Sequence, residues 1–413
     1  MQFYLVGIKG SGMSALANIL IDLGHEVFGV DYPKKYFTED TLPKSIVCET
    51  FETAIIKKEY FYIIGNAFKL SNFTQKIIEM GYEYMHYPEF LETFFKMKKI
   101  GICGSHGKTT TTCFASSLID VPLNVLIGDG TGSGNLDSKY FLFEACEYQN
   151  NFLKYTYDYL VMLNVDYDHP DFFKSENDYL FSFQKAALNA KILIINNDDK
   201  NCQKIVHNNK ITFGFNKESD VVITYSNEQL ILAFYDEKFS IDFPFVGQHL
   251  AYDFTASFIL AYMVNSNRQK IQEKAKNLYL PRRRLTEYKI GSNVLVNDYA
   301  HHPTEIKAVF QTLSLKYPEK KKIAIYQPHT FSRTDAFLNQ YITSLKLFDE
   351  VYVLPIFSSV RETDIDKFLL LNSDSTFLEY DKNIKNKLLN SENNVIAFIG
   401  AGDIDTEFYF FIN

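Results

Sequence analysis

Within GICGSHGKTTTT, residues 101–112, a glycine, a lysine and a threonine stand side by side at Gly107, Lys108 and Thr109. Glycine lets a backbone approach phosphate closely, lysine reaches β- and γ-phosphate oxygens, and a threonine hydroxyl can ligate Mg2+. The general phosphate loop has a further glycine five positions before its Gly-Lys pair. That position is Ile102 here, and the nearby glycines are Gly101 and Gly104. The working groups survive the shift, and a helix beginning at the threonine run would add the positive potential of its N-terminus. ATP binding is the reading these residues favour.

A second glycine turn opens the chain. In GIKGSGMSALA, Gly10-x-Gly12-x-x-Ala15 fits the dinucleotide fingerprint, and Asp31 ends the following apolar run. The pattern indicates a pyrophosphate held on a helix N-terminus; it does not separate NAD from a UDP-sugar. Acids that could hold a metal follow two later runs: Glu144 and Glu147 in FLFEACEYQNNF, and Asp166, Asp168, His169 and Asp171 in NVDYDHPD. NDYAHHPTEI and QPHTFSRT contribute Asp298, His301, His302, His329 and Arg333, polar groups with no fold reason to gather after two strands. Arg282, Arg283 and Arg284 read either as a solvated hinge or as a source of one phosphate-facing guanidinium.

The elements that must position these residues follow from hydrophobic periodicity. FYLVGI, EVFGVD and YFYIIGNA are strands, with a helix over MSALANILIDLG stopped by Gly24. KKIGICG, YDYLVMLNV and AKILIINND restart the strand-and-helix alternation, which means βαβ units and a parallel sheet. Residues 219–245 alternate like a small antiparallel insert, and HLAYDFTASFILAYMV returns to a helix. VLVNDY, KIAIYQ, EVYVLP and NVIAFIGAG form a third set, with AFLNQYITSLKLF as one helix among them. The expectation is α/β in three domains: 1–98 Rossmann-like, 99–280 a P-loop domain with the insert, and 281–413 Rossmann-like. PEKKKI reads as a solvated helix end leading into a strand.

Composition narrows the class. A chain of 413 residues exceeds one ordinary domain. The net charge of −8 speaks against nucleic acid or an anionic membrane as partner. Five scattered cysteines without a CxxC pair suit reduced thiols in the cytoplasm. The start MQFYLVGIKG has no basic stretch followed by an apolar run and cleavage site, and no segment reaches 18 uninterrupted apolar residues, so neither a signal peptide nor a membrane span is expected.

Taken together, the motifs resemble the Mur ligases of bacterial peptidoglycan synthesis, in the low-GC Gram-positive form that joins L-alanine to UDP-N-acetylmuramate. The likeness runs through GIKGSGMS, IIGNAF, GICGSHGKTTTT, LIGDGTG, FEACEY, NVDYDHPDFF, NDYAHHPTEI, QPHTFSRT, IFSSVRE and IGAGDI, in order along essentially the whole chain. That family writes its ATP loop G-T-x-G-K-T, which Gly104-Ser105-His106-Gly107-Lys108-Thr109 matches, with Thr110 following. The resemblance implies that Gly10, Ser11, Gly12, Met13, Ser14, Asp31 and Asn66 hold the UDP substrate rather than NAD. It implies Thr109, Glu147 and His169 as Mg2+ ligands, His249 at adenine, Arg283 on phosphate and Asp298 near the ATP ribose. Tyr299, His301, His329 and Arg333 would surround the incoming amino acid, and Lys108, Glu147, His169, His301, His329 and Arg333 would carry the catalysis. The chain departs from the family pattern at Cys146, Leu250, Asp253 and Thr330, and no position matches the carbamylated lysine of sister ligases.

The reaction implied is ATP-dependent amide formation. A lactyl carboxylate attacks the γ-phosphate to give an acyl phosphate and ADP, and the amine of L-alanine then displaces phosphate. Alternatives are a recycling ligase that attaches a tripeptide to the same nucleotide, and an NAD-dependent oxidoreductase built on the N-terminal fingerprint, which would leave the Lys108 loop unexplained. A monomer or weak homodimer is expected, with closure of the domains before chemistry.

Overall fold

The structure, a computed structural model, describes residues 1–226, 229–265, 267–357 and 366–413. The SSVRE part of the IFSSVRE motif lies outside the described residues. By its contacts the chain divides into two compact units. The first comprises Met1–Asp166, Asn177–Phe243 and Ala251–Tyr279; the second comprises Tyr167–Glu176, Pro244–Leu250 and Leu280–Asn413.

The first unit carries two sheets. One begins with β1 (Gln2–Val6), α1 (Ser11–Asp22), β2 (Glu26–Asp31) and β3 (Val47–Thr50). It continues through β4 (Phe61–Ile64), α2 (Asn72–Glu79), β5 (Tyr84–His86) and α3 (Tyr87–Phe94). Its strands are all parallel in the order β3-β2-β1-β4-β5. Apolar residues occupy both faces of β1 and β4 because helices cover both sides, which is why these strands read as unbroken runs. Much of the packing is aromatic: Tyr4 stacks on Tyr60 at 5.2 Å within a cluster that includes Tyr62, Phe73 and Ile77. In this sheet aromatic rings thus supply much of the core volume.

The other sheet of this unit starts at β6 (Lys98–Cys103), followed by α4 (Lys108–Leu118), β7 (Leu123–Leu126), β8 (Gly132–Ser133) and β9 (Tyr140–Glu144). β10 (Tyr157–Met162), α5 (Glu176–Leu188), β11 (Ala190–Asn196) and β12 (Lys210–Gly214) come next. β13 (Val221–Ser226), β14 (Gln229–Phe234) and β15 (Glu237–Asp242) form the antiparallel insert, before α6 (Gln248–Val264) and α7 (Arg268–Ala275). The insert is not a separate layer. Parallel pairing of Phe213 with Val221 joins it to the main sheet, giving ten strands in the order β15-β14-β13-β12-β11-β10-β6-β9-β7-β8. Its hydrophobic face, including Val221, Ile223, Leu230 and Leu232, is buried as continuous sheet.

The second unit holds β16 (Thr286–Ile290), β17 (Asn293–Asp298), α8 (Pro303–Lys316), β18 (Lys321–Tyr326), α9 (Phe331–Ala336) and α10 (Leu338–Leu345). β19 (Glu350–Val353), α11 (Leu369–Ser373), β20 (Leu378–Glu379), α12 (Ile384–Asn390), β21 (Asn394–Ile399) and α13 (Ile404–Ile412) complete it. The order is β16-β17-β21-β18-β19-β20, parallel except for the edge strand β16. The helix expected over 336–348 is present as α10, and Phe337, whose φ of −114° and ψ of 21° leave the helical region, separates it from α9. Its ring is buried and packs edge-on against Tyr167 and His302, so core packing overrides local helix propensity there. Among the described residues no helix is long and apolar enough to cross a membrane.

Candidate functional site

In a parallel sheet the loops after the strands open on one edge, and the chemistry-bearing residues of this chain follow that rule. The strands β9, β6 and β10 are neighbours. Their ends therefore bring together Glu144 and Glu147, the 104–107 loop, and the Asn164–Asp166 segment.

Gly107 begins α4 with φ +85°, a left-handed conformation that disfavours other residues. A Cβ there would also stand 2.4 Å from an Asp253 carboxylate oxygen. The loop is tied to the segment after β10. Ser105 Oγ donates to the Asp166 carbonyl at 2.6 Å, the His106 amide donates to Asn164 Oδ1 at 2.8 Å, and Asn164 Nδ2 returns a bond to the His106 carbonyl at 3.1 Å. His106 Nε2 lies 2.9 Å from Asp166. Asn164 thus shapes the loop although its motif drew attention for its acids and His169; its place directly after a strand adjacent to β6 was the available signal.

Lys108 folds its ammonium back over the loop, donating to the Gly104 carbonyl at 2.6 Å and reaching Glu147 at 2.9 Å. Burial works against that ammonium, but Glu147 and the neighbouring acids overcome it and hold the lysine above its ordinary range. Glu147 is only 2% exposed. The Thr109 hydroxyl donates its proton to Glu144 at 3.2 Å, which leaves its oxygen lone pairs free to face a cation. Glu144 also accepts the Gly128 amide, and burial raises its pKa. One hydroxyl and the carboxylates make an all-oxygen donor set, which suits a hard cation such as Mg2+. Thr110 is buried within α4, Cys146 is exposed beside Glu147, and His169 belongs to the second unit.

The N-terminal cradle is built the same way. Gly10 caps α1, whose first residues are Ser11 and Gly12. Asp31 accepts the Lys9 and Tyr32 amides at 2.8 Å each, so its carboxylate braces the glycine turn itself, and burial raises its pKa. The fingerprint's usual use of this acid, on a ribose hydroxyl, competes here with two backbone amides. Met13 and Ser14 are buried, with Ser14 Oγ on Thr41 Oγ1 at 2.9 Å. Asn66, after the neighbouring β4, has its Oδ1 buried without a hydrogen-bond partner among the described residues.

In the second unit, Arg333 and Asp168 form a buried bidentate pair, Nε–Oδ1 at 2.7 Å and NH2–Oδ2 at 3.2 Å. Burial opposes the Asp168 charge, yet the Arg333 guanidinium holds its carboxyl well below the usual range. The remaining Arg333 nitrogen, NH1, lies 3.5 Å from His329 Nδ1. The His329 ring stacks on Phe357 and sits 6.0 Å from that of His301. The His301 Nδ1 lies 3.1 Å from the Tyr299 carbonyl oxygen, and the His301 carbonyl accepts the Tyr341 hydroxyl. Thr330, one of the departures from the family pattern, has φ +66° between His329 and α9. Asp168 was visible as one acid of a cluster; nothing local announced that it would be the buried counter-ion of Arg333.

Arg283 and Asp298 sit less openly than their expected nucleotide roles suggest. Arg283 is buried, donating through NH2 to the Gly400 and Gly402 carbonyls at 2.8 and 2.9 Å, so it is no solvated hinge. Asp298 accepts the Leu285 and Ala300 amides at 2.9 and 2.8 Å, and burial raises its pKa. Tyr299 lies under the Arg283 and Arg284 guanidinium groups.

The histidines are kept neutral. Burial pushes His249 and His301 down to about 4, and His329 also well below its usual value. His301 and His329 can therefore accept a hydrogen bond from an amine near pH 7 but hold a proton weakly. Because the unfolded chain binds protons at about pH 6.5 and the folded one only near pH 4, their stabilising contribution is complete above pH 6.5 and is lost on the way down to about 4. Calorimetric melting is expected to shift to lower temperature between pH 7 and 5, and His301→Gln to flatten part of that slope. An unchanged slope in the variant would show that His301 titrates normally.

Three family models match successive parts of the chain: "Mur ligase family, catalytic domain" over 2–99, "Mur ligase middle domain" over 102–261 and "Mur ligase, glutamate ligase domain" over 283–375. Solved structures with the same fold include the UDP-N-acetylmuramate-alanine ligase MurC of Thermotoga maritima, 20% identical with a TM-score of 0.80, covering 100% of this chain and 98% of that one. The murein peptide ligase of Psychrobacter arcticus is 18% identical with a TM-score of 0.70, over 100% and 98% of the two chains. A pseudomurein peptide ligase type C from Methanothermus fervidus is 16% identical with a TM-score of 0.69, over the full length of both.

Proposed function

Because the chain belongs to the Mur ligase family of ATP-dependent ligases, we propose that it joins L-alanine to the lactyl carboxylate of UDP-N-acetylmuramate in the cytoplasm, releasing ADP and phosphate. The observation that carries this reading is the pairing, within one compact unit, of a pyrophosphate-type glycine turn before α1 with the Lys108 loop before α4. The proposed division of labour follows the limits 1–98 for the UDP substrate, 99–280 for ATP and 281–413 for the amino acid.

In this mechanism Lys108 neutralises charge on the transferred phosphoryl group while the substrate carboxylate attacks it, giving the acyl phosphate. Thr109 and Glu147 would hold Mg2+, which when bound supplies further charge neutralisation for two anions that must meet. Arg333, anchored through Nε and NH2, would offer its remaining nitrogen to the carboxylate of the amino acid. Neutral His301 and His329 would accept hydrogen bonds from the attacking amine, orienting it toward the acyl carbon. We propose a monomer or weak homodimer.

The test is ADP release with UDP-N-acetylmuramate and a panel of L-alanine, glycine, L-serine and the tripeptide of the recycling reaction. L-alanine is expected to give the highest kcat/KM. Preference for the tripeptide would overturn the assignment in favour of the recycling ligase, and nicotinamide binding without ADP release would favour the oxidoreductase.

A further inference from the structure

We propose that Tyr87 is a substrate-contacting residue. Its phenolic hydroxyl would donate a hydrogen bond to the part of a nucleotide-linked sugar acid that extends from the glycine cradle toward the ATP loop. The proposal rests on the nucleotide-sugar reading above and adds to it a residue from α3, an element that carries no recognised motif.

The placement comes from three directions. Tyr87 opens α3 directly after β5, and β5, β4 and β1 are neighbours, so it shares a sheet edge with Asn66 and with the glycine turn. Toward that turn, a Cβ built on Gly12 would stand 2.5 Å from the Tyr87 hydroxyl and 2.9 Å from the ring carbon bearing it. The missing side chain of Gly12 is therefore what admits the phenol to the first turn of α1. The glycine of the fingerprint serves this contact as well as any phosphate.

On its other side the phenol faces the strand end beside the ATP loop. Burial, then the nearby Glu144 and Cys146, push its ionisation up, so it is a neutral donor at any working pH. Glu144, whose charge is felt at Tyr87, is the acceptor of the Thr109 hydroxyl. A half-buried phenol normally finds a partner for its hydroxyl. At Tyr87 no side chain on Gly12 separates that hydroxyl from α1. Asn66 Oδ1 and His86 Nδ1 on the same edge are buried without partners, and within 1–98 they are the buried side-chain atoms in that condition among the described residues. Two buried polar groups left open on the edge that carries the Tyr87 hydroxyl, next to a helix N-terminus, mark a surface made for a polar ligand longer than a pyrophosphate.

Tyr87→Phe removes the hydroxyl and retains the ring, and calorimetric titration with UDP and with UDP-N-acetylmuramate, without ATP, reads the consequence. The variant is expected to bind UDP-N-acetylmuramate about 10-fold or more weakly and UDP as the wild type does. In turnover, KM for the sugar nucleotide should rise while that for ATP stays unchanged. Equal affinity of variant and wild type for UDP-N-acetylmuramate overturns the proposal. An equal loss for UDP also overturns it, because the contact would then lie on the nucleotide. Failure of the wild type to bind UDP-N-acetylmuramate would instead sink the nucleotide-sugar reading itself.

Discussion

Replacing Lys108 by alanine is expected to lower ADP formation on the order of 10³-fold or more, the effect of removing a main phosphate-stabilising group. The ammonium is positioned by two carbonyl oxygens of its own loop and by Glu147, so its location does not depend on a flexible stem. The variant also strips a buried carboxylate of its cation, which costs stability and pushes Glu147 toward protonation. Two measurements separate these effects. Melting in the absence of nucleotide reports the lost pair, and ADP release at saturating ATP reports the lost charge stabilisation. Lys108→Met, which retains the volume of the stem, should be as inactive as alanine. Turnover near the wild-type rate in either variant would remove Lys108 from the chemistry.

The site's legibility in the sequence divides along a physical line. The turn at Gly107 and the helix start at Lys108 were readable because they are local: the turn, the lysine and the first helical residues are consecutive. The strands were readable because helices on both faces demand unbroken apolar runs such as FYLV and ILII. What could not be read were partnerships made across the fold. Asn164 ties down the Gly104–Gly107 loop from the end of a neighbouring strand, and Tyr87 reaches Gly12 from a helix far along the chain. Asp31, Arg283 and Asp298 carry the right chemistry in the right motifs, yet each is engaged with backbone groups. A motif gives the residue type and cannot say how much of its hydrogen-bonding capacity the fold consumes. The helix boundary at Phe337 and the fusion of the insert with β12 were hidden for a related reason. Tertiary packing and an edge pairing decided them against the local pattern.

Asp168→Ala is expected to be the most destabilising single change in the second unit, by about 3–5 kcal/mol, because it leaves a buried guanidinium without its counter-charge. Arg333 and Asp168 are 6% and 3% exposed, and two hydrogen bonds hold the planar groups in register, so water cannot easily replace the lost carboxylate. Asp168→Asn retains shape and one acceptor and should fall between wild type and alanine. The pair also sets a low-pH limit. The folded carboxyl titrates well below the value of about 3.9 in an unfolded chain. Its contribution is therefore present in full above pH 4 and is lost as pH falls toward the folded value, below the window in which the buried histidines act. Function should follow the geometry. With Nε and NH2 released, the Arg333 fork is no longer aimed, and KM for the amino acid should rise in the asparagine variant while KM for ATP does not. Thermal unfolding and amino-acid titration on the same two variants check both halves. A stable Asp168→Ala protein with unchanged amino-acid KM would mean that Arg333 needs no counter-ion and that the pair positions nothing.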